Sequence, residues 1–162
     1  MLRRLLLDPL EYLRTAHRLA TFGRKPRSSD LRRAVSTTYY AMFDALCRTC
    51  ADSFVGGKGA DRDTDAWLQV YRSVDHGQAK QRSKNQEGLA AFPTAVRVFA
   101  EIFCDLQIQR HEADYNPMAR FHRNDVLNLI DIATTALRDF NRVPVKDRRA
   151  FAVWIAVKDR RT

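Results

Sequence analysis

The segment Phe92-Pro-Thr-Ala-Val-Arg-Val-Phe-Ala-Glu-Ile-Phe-Cys-Asp-Leu106 carries the clearest periodicity of the chain. Its large apolar residues recur at intervals of four, three, four and three: Phe92, Val96, Phe99, Phe103 and Leu106. This spacing is that of one buried helix face in a bundle. Pro93 suits the first turn, where its missing amide costs no hydrogen bond, and Pro117 must end the helix. We therefore predict a long helix that packs inside an all-α protein.

Upstream of this segment the sequence predicts three further helices. The first would bury a face that includes one hydrogen-bonded histidine: Leu6, Leu10, Leu13, His17 and Ala20. The second spans Leu31–Thr49, with Ser29 or Asp30 as its N-cap. The third spans Trp67–Val74, and the polar residues 78–88 are expected to form a loop or a frayed extension of it.

Downstream, the spacing of Val126–Phe140 predicts a fifth helix, which Pro144 ends. The tail Phe151–Val157 is apolar and β-branched enough for a strand, but no other segment offers a partner strand. We therefore predict a last helix, capped by Asp147. The expected fold is all-α, a bundle of four to five main helices plus a C-terminal helix, with residues 1–162 forming one domain.

Composition argues against several other classes of protein. The 162 residues include six Gly and five Pro, too little turn material for an all-β fold of about eight or more strands. No apolar run reaches the roughly 18 residues that a membrane helix needs, so no membrane partner is expected. Asp8 and Pro9 interrupt the apolar start too early for a secretory signal. Three cysteines cannot all pair within the chain, which favours a reduced, cytoplasmic setting.

The net charge of +9 is concentrated at the two ends of the chain. Residues 1–36 contain nine Lys or Arg against three Asp or Glu, residues 142–162 contain seven against two, and the segment between them is slightly acidic. Such a surface attracts a polyanion such as RNA. The alternative is a solvated basic face that serves solubility, and the sequence leaves the two open.

Two short motifs are best explained by structure. Cys47-Arg-Thr-Cys50 has no second pair and no nearby histidine, so it cannot supply four zinc ligands, and inside a helix it fits core packing better than redox chemistry. Cys104 is expected to be buried as well. Gly56-Gly-Lys-Gly59 lacks the spacing of a phosphate-binding loop and is interpreted as a linker. No metal-ligand pattern stands out, so no metal and no cofactor are expected.

Continuing the apolar stripe past Leu106 leads to charged residues. Steps of four reach Arg110 and then Asp114, so a guanidinium and a carboxylate follow the core line, with Tyr115 beside them. A buried unpaired charge is costly, which means that these residues need partners or a cleft. One alternative is that Arg110 and Asp114 simply form a closed ion pair with each other. We favour a functional role for the set.

Other polar and aromatic side chains lie on helix faces that can point to a shared groove: Arg33, Ser36, Tyr39, Tyr40, Arg72 and His76. Three of them have a structural alternative. Tyr39 and Tyr40 fit core or interface packing, and His76 can bind backbone groups at a helix end. His122 is expected at the surface.

Three segments resemble HEPN domains. Arg33-Ala-Val-Ser-Thr-Thr-Tyr-Tyr-Ala-Met-Phe-Asp-Ala-Leu46 is similar to their second helix, which often reads Arg-Ala-x-Ser-x-x-Tyr-Tyr-Ala-x-Phe-His-Ala, with Asp44 at the histidine position. Val74-Asp-His-Gly77 is similar to the His-Gly segment in the third helix of one branch. Arg110-His-Glu-Ala-Asp-Tyr115 matches the Arg-x-x-Ala-Asp-Tyr motif of that branch. Together the matches span residues 30–117.

The resemblance implies a bundle of four to five helices that is often a homodimer. Many members of the family are metal-independent ribonucleases of toxin–antitoxin and other defence systems, and many pair with a small nucleotidyltransferase. Active members carry an arginine and then a histidine, with four to six residues between the two. Arg110 takes the arginine position, but Tyr115, Asn116 and Pro117 stand where that histidine is expected, and His111 is too close.

Two functions are therefore open. The first is an RNA-acting module that cleaves without metal, in which Arg110 stabilises the phosphorane charge and His76 acts as acid or base. Asp114 or Tyr115 would orient His76. Further contacts to the RNA would come from Arg33, Arg72 and Tyr40. The second is a non-catalytic bundle that binds a nucleotide, a nucleic acid or a partner protein such as a nucleotidyltransferase, since the usual histidine is missing.

Overall fold

The computed structural model describes residues 8–158, and all regular structure within this range is helical. The helices in chain order are α1 Pro9–Thr21, α2 Ser28–Val55, α3 Thr64–Ser73, α4 His76–Lys84, α5 Gln86–Leu89, α6 Thr94–Tyr115, α7 Arg123–Arg142 and α8 Val145–Ala156. None of them is both long and apolar enough to cross a bilayer. The prediction of an all-α fold is confirmed.

The 28-residue helix α2 lies at the centre and packs against α1, α3, α6, α7 and α8. Aromatic side chains fill the larger of two core clusters: Tyr39, Phe99, Phe103, Phe140 and Phe151. A smaller cluster joins the start of α2 to α1 and α7 through these residues: Ala16, Leu31, Val35, Val126 and Ile130. A helix that is buried on several sides needs a partner for each polar side chain that it carries there.

The long helix predicted from the apolar stripe is α6, and its proline boundaries are confirmed. Pro93 immediately precedes Thr94, the first helical residue, and α6 ends at Tyr115, before Pro117. The stripe is buried at Val96, Phe99, Phe103 and Leu106, whereas Phe92, which was predicted to belong to it, precedes the helix and is half-buried. The next helix, α7, likewise ends before Pro144.

Residues 78–88 were predicted as a loop or frayed extension, and this is wrong. Apart from Asn85, they lie in α4 and α5. Each of these helices begins after its own capping residue: Asp75 accepts a hydrogen bond from the Gln78 amide, and Asn85 accepts one from the Gly88 amide. Only small side chains of α4, Ala79 and Ser83, are buried. An inward face built from such residues gives no apolar periodicity in the sequence.

The predicted inward face of α1 is also partly wrong. His17 is exposed, and the buried positions are Leu13, Ala16 and Ala20. Leu6 lies outside the described residues. The spacing of three and four is preserved, but it passes through Ala16 in place of His17, so the polar imidazole stays in water.

The N-caps of α2 and α8 differ from those predicted. Helix α2 begins at Ser28 after Arg27, so neither Ser29 nor Asp30 is its N-cap, although the Asp30 carboxylate accepts a bond from the Arg27 amide at 3.3 Å. The predicted last helix is α8, which begins after Pro144, and Asp147 lies in its first turn. In both helices the acidic residue still faces the positive end of the helix dipole.

Arg32 ties the start of α2 to the end of α6. Its Nη1 donates to the carbonyl oxygens of Ala113 and Asn116, both at 2.8 Å. Its Nη2 donates to the carbonyls of Pro117 at 3.2 Å and Ala119 at 2.6 Å. These carbonyls lie in the last turn of α6 or just after it, where a helix leaves acceptors unpaired and its dipole favours a cation. Arg32 therefore fixes the end of α6 against α2.

Replacing Arg32 should destabilise the fold much more than replacing its neighbour. Arg32→Ala leaves several carbonyls without a donor, and we expect the free energy of unfolding to fall by about 3 kcal/mol. Arg33→Ala removes an equal charge from an exposed position and should change it by less than about 0.5 kcal/mol. Urea unfolding of both variants tests this, and equal midpoints would contradict it.

Candidate functional site

The contact between α2 and α6 brings two pairs of polar residues together. Ser36 and Tyr40 lie one turn apart on α2, and Asp114 and Arg110 lie one turn apart on α6. The Ser36 hydroxyl donates to the Asp114 carboxylate, and Arg110 Nη2 donates to the Tyr40 hydroxyl oxygen at 3.1 Å. Because the later residue on α2 meets the earlier residue on α6, the helices run antiparallel and the four-residue spacing aligns both pairs.

The Arg110 guanidinium is enclosed by three tyrosine rings and one carboxylate, a group that we call the arginine cage. Its central carbon lies 5.7 Å from the centre of the Tyr39 ring, 5.6 Å from that of Tyr40 and 5.7 Å from that of Tyr115. Asp114 Oδ2 lies 3.0 Å from Arg110 Nε, an ion pair without hydrogen-bond geometry, so the buried Nε lacks a hydrogen bond. The faces of the rings attract the cation at these distances.

The arginine cage is open on one side. The Arg110 side chain keeps 22% of its surface exposed, and Tyr115 at the rim is 63% exposed. Arg110 Nη1 makes no hydrogen bond to any of residues 8–158. Burial lowers the pKa of Arg110, but Tyr40 and Asp114 outweigh it, so the pKa is raised and the guanidinium stays charged. The cage therefore presents a positive charge and free donors, an arrangement suited to an anion.

His76 joins the arginine cage through Tyr39. The Tyr39 hydroxyl lies 2.6 Å from His76 Nδ1, and the imidazole stacks on Phe43 with 3.7 Å between ring centres. Burial and then the charge of Arg110 lower the pKa of His76 from its usual 6.5, while burial raises the pKa of Tyr39. With both groups neutral, we assign Tyr39 as the donor to Nδ1 and place the imidazole proton on Nε2.

This hydrogen bond restricts His76 as an acid or base. Its one free lone pair, on Nδ1, accepts from a tyrosine that is fully buried, so a substrate hydroxyl reaches neither group while the bond lasts. The Nε2–H of a neutral imidazole is a hydrogen-bond donor, not an acid near neutral pH. Proton transfer by His76 would require the bond to Tyr39 to break first.

The structure brings the predicted catalytic residues into one neighbourhood. Arg110, Asp114 and Tyr115 meet in the arginine cage, and His76 is connected to it through Tyr39. The ion pair between Arg110 and Asp114, which the sequence left open as a structural alternative, is present. It leaves Nη1 of the guanidinium unpaired among the described residues, so the pair does not close the site.

The three residues predicted to contact RNA lie in different surroundings. Tyr40 is half-buried and belongs to the arginine cage. Arg33 and Arg72 are exposed on α2 and α3, and within the described range their side chains make no hydrogen bond or ion pair. They therefore remain available at the surface, but no contact links them to the cage.

Two residues that position the site were not identified from the sequence. One is Arg32, described above. The other is Asp44, which is 4% exposed, pairs with Arg48 Nε at 2.7 Å and accepts a hydrogen bond from the Tyr71 hydroxyl. It lies one turn beyond Tyr40 on α2 and connects that helix to α3. The four-residue spacing of Asp44 and Arg48 was the available signal, but the same spacing is common on exposed helix faces.

The cysteines play a structural role, as predicted for the Cys47-x-x-Cys50 pair. Cys47, Cys50 and Cys104 are all buried and unpaired. Burial raises the pKa of Cys47, of Cys50 to about 12 and of Cys104 to about 11. Thiols that stay protonated are poor nucleophiles and poor metal ligands. The prediction that they pack in the core is confirmed.

Comparison with known proteins assigns neither a family nor a function to this chain. The chain has no significant match among protein-family models, curated proteins or solved structures. Across residues 8–158, no group of three or more His, Cys, Asp or Glu is arranged to hold a metal ion. The arginine cage is thus the feature from which a function can be inferred.

Lowering the pH should weaken the fold through His76. Its folded pKa lies below 6.5, so the unfolded chain binds more protons and the free energy of unfolding falls as the pH drops below 6.5. Urea unfolding between about pH 7 and about pH 5 should show this loss in the wild type and less of it in His76→Gln. His122→Gln, which removes an exposed imidazole, is the control. An equal reduction of the pH slope in both variants would contradict the prediction.

Proposed function

We propose that this chain is a HEPN-type helical bundle that binds RNA, with Arg110 as a residue that contacts phosphate. The observation that carries the proposal is the arginine cage, in which a charged guanidinium is held between three tyrosine rings with Nη1 left for a ligand. The planar donors of arginine match the oxygens of a phosphate. The exposed ring of Tyr115 adds a surface on which a base can stack.

The convergence of the three HEPN-like segments supports this proposal. Tyr40 of the first segment binds Arg110 of the third, 70 residues away along the chain. Tyr39 of the first segment binds His76 of the second, 37 residues away. If each segment resembled the family only by chance, their side chains would have no reason to contact one another. If the segments form one site, these contacts are required.

The charge of the chain is in keeping with a polyanionic ligand. The net charge of +9 attracts RNA over long distances. At short range, the arginine cage adds a cation that is held in place by its surroundings, which reduces the loss of side-chain entropy on binding. Binding is favoured over cleavage because the lone pair of His76 is already used by Tyr39.

Metal-independent RNA cleavage is the second candidate. One observation favours it: Tyr39 contacts both groups that cleavage would use. Its hydroxyl binds the imidazole of His76, and its ring faces the guanidinium of Arg110. If bound RNA breaks the bond between Tyr39 and His76, His76 can accept the proton of the 2′-hydroxyl as its oxygen bonds to phosphorus. The bond between phosphorus and the 5′-oxygen then breaks, and the leaving oxygen takes a proton from water. Arg110 would then stabilise the charge on the phosphorane, and Asp114 or Tyr115 would orient the reacting groups.

Three further expectations from the HEPN resemblance stay predictions. They are the homodimer, a nucleotidyltransferase-type partner, and a role in a toxin–antitoxin or other defence system. In each case the family resemblance is the only support. Arg33 and Arg72 remain candidate RNA contacts because both are exposed and basic.

Replacing Arg110 should weaken RNA binding. Arg110→Ala removes the charge and the donors, and Arg110→Lys keeps the charge but loses the planar pair of donors, so we expect a loss of about tenfold in affinity in both. Fluorescence polarisation with a labelled single-stranded RNA at fixed salt measures it. Arg97→Ala, which removes an equal charge from an exposed position on α6, is the matched control. Equal affinities of Arg110→Ala and Arg97→Ala, with both variants folded, would overturn the proposal.

The neutral, Tyr39-bound state of His76 predicts that the protein leaves RNA intact. Labelled RNA incubated with protein in EDTA should match the protein-free blank on a denaturing gel. The second candidate predicts the opposite result, with cleavage that falls by about 10² to 10⁴ in His76→Gln and in Arg110→Ala. Cleavage that persists in both variants would point to a contaminating nuclease and would exclude this site as its source.

A further inference from the structure

A second anion site is indicated by a cavity beside the first turn of α2, beyond the C-terminal end of α6. The cavity has a volume of about 340 Å³ and lies between the α1–α2 connection, the first turn of α2 and the α6–α7 connection. We call it the basic pocket. Its polar lining includes Arg24, Lys25, His122 and Arg123. No acidic side chain contributes to this lining, although the same chain contains 19 Asp and Glu.

The cations of the basic pocket divide into one that shapes it and two that are free to bind. Arg123 donates to the carbonyl oxygens of Arg24 at 3.3 Å and Thr21 at 3.4 Å, which holds the α1–α2 connection against α7. The side chains of Arg24 and Lys25 are exposed and form no ion pair within residues 8–158. The nearest carboxylate on α2, Asp30, is bonded to the Arg27 amide.

The backbone adds to the positive potential of the basic pocket. Helices α2 and α7 both begin at it. The start of α7 has no side-chain cap, and at the start of α2 the Asp30 carboxylate accepts only from the Arg27 amide. Uncapped amides and the helix dipole favour an anion in this position. These helix starts reinforce the cavity and its cationic lining, which carry the inference.

One wall of the basic pocket is apolar. Leu31 is buried, Phe121 is half-buried, and together with Pro26 they line the cavity. An inorganic anion has no apolar surface to bury against this wall, whereas the ribose or base that carries a phosphate can pack against it. The chemistry of the lining thus fits a phosphate group attached to a nucleoside.

We propose that the basic pocket binds the terminal phosphate of an RNA strand, an inference that rests on the proposed binding of RNA at Arg110. A phosphate monoester carries more charge than an internal diester and offers three free oxygens, which suits a pocket with several donors. The pocket and the cage are near enough for one strand, since Leu31 and Tyr40 lie about 14 Å apart along α2.

The test compares three forms of one single-stranded RNA: with a 5′-phosphate, with a 3′-phosphate, and with hydroxyl groups at both ends. Fluorescence polarisation at fixed salt gives their affinities for the full chain. We expect one phosphorylated form to bind about tenfold more tightly than the hydroxyl form. Which end is preferred identifies the source of the phosphate.

The variant Arg24→Ala/Lys25→Ala should remove this preference and leave the affinity for hydroxyl-ended RNA close to that of a charge-matched control. The control is Arg138→Ala/Lys146→Ala, which removes two exposed cations from α7 and α8 and should keep the preference. Equal binding of all three RNA forms by the wild type, or a preference that survives Arg24→Ala/Lys25→Ala, would overturn the inference while RNA binding at Arg110 stands. No binding of any form would overturn the proposed function, and the inference with it.

Discussion

A cation that is partly withdrawn from water must find compensating partners, and the contact between α2 and α6 is organised around two such cations. Arg32 is compensated by four backbone carbonyls at the end of α6. Arg110 is compensated by tyrosine rings and by Asp114. Because each cation takes partners from the opposite helix, the two helices are held in one register. That register places Ser36 opposite Asp114 and Tyr40 opposite Arg110.

Arg32 and Arg110 differ in how many of their donor nitrogens have a hydrogen-bond acceptor within the chain. We therefore assign Arg32 a structural role and Arg110 a functional one. Arg32 uses both terminal nitrogens on the backbone of its own chain. Arg110 leaves Nη1 without a hydrogen bond among the described residues, and its buried Nε has an ion pair without hydrogen-bond geometry. Incomplete satisfaction of a buried polar group lowers stability, and it is characteristic of functional sites, where a bound group or water supplies the missing partner. Burial, and after it the same charge that favours an anion, lowers the pKa of the nearby His76, so binding and proton transfer compete at this site.

Most of the fold could be predicted from the spacing of large apolar residues. The stripe from Val96 to Leu106 is buried as expected, because a long apolar face has few ways to leave water other than packing on another helix. The failures occur where the inward side chains are small or polar. Helix α4 buries Ala79 and Ser83, and α1 buries Ala16 while His17 points to solvent. Small residues allow close packing of helices but contribute little to a hydrophobic pattern.

The sequence by itself determined the all-helical class, the proline boundaries of α6 and α7, and the presence of Arg110 and Asp114 on the continuation of a core stripe. Only the tertiary structure decided what those residues touch. Arg32 and Arg33 are adjacent and chemically identical, yet one binds four carbonyls and the other is exposed. The reason is that helical spacing specifies only the direction in which a side chain leaves the helix axis. The contact that it makes depends on which element lies in that direction. For Arg32 this element is the end of α6, about 80 residues further along the chain.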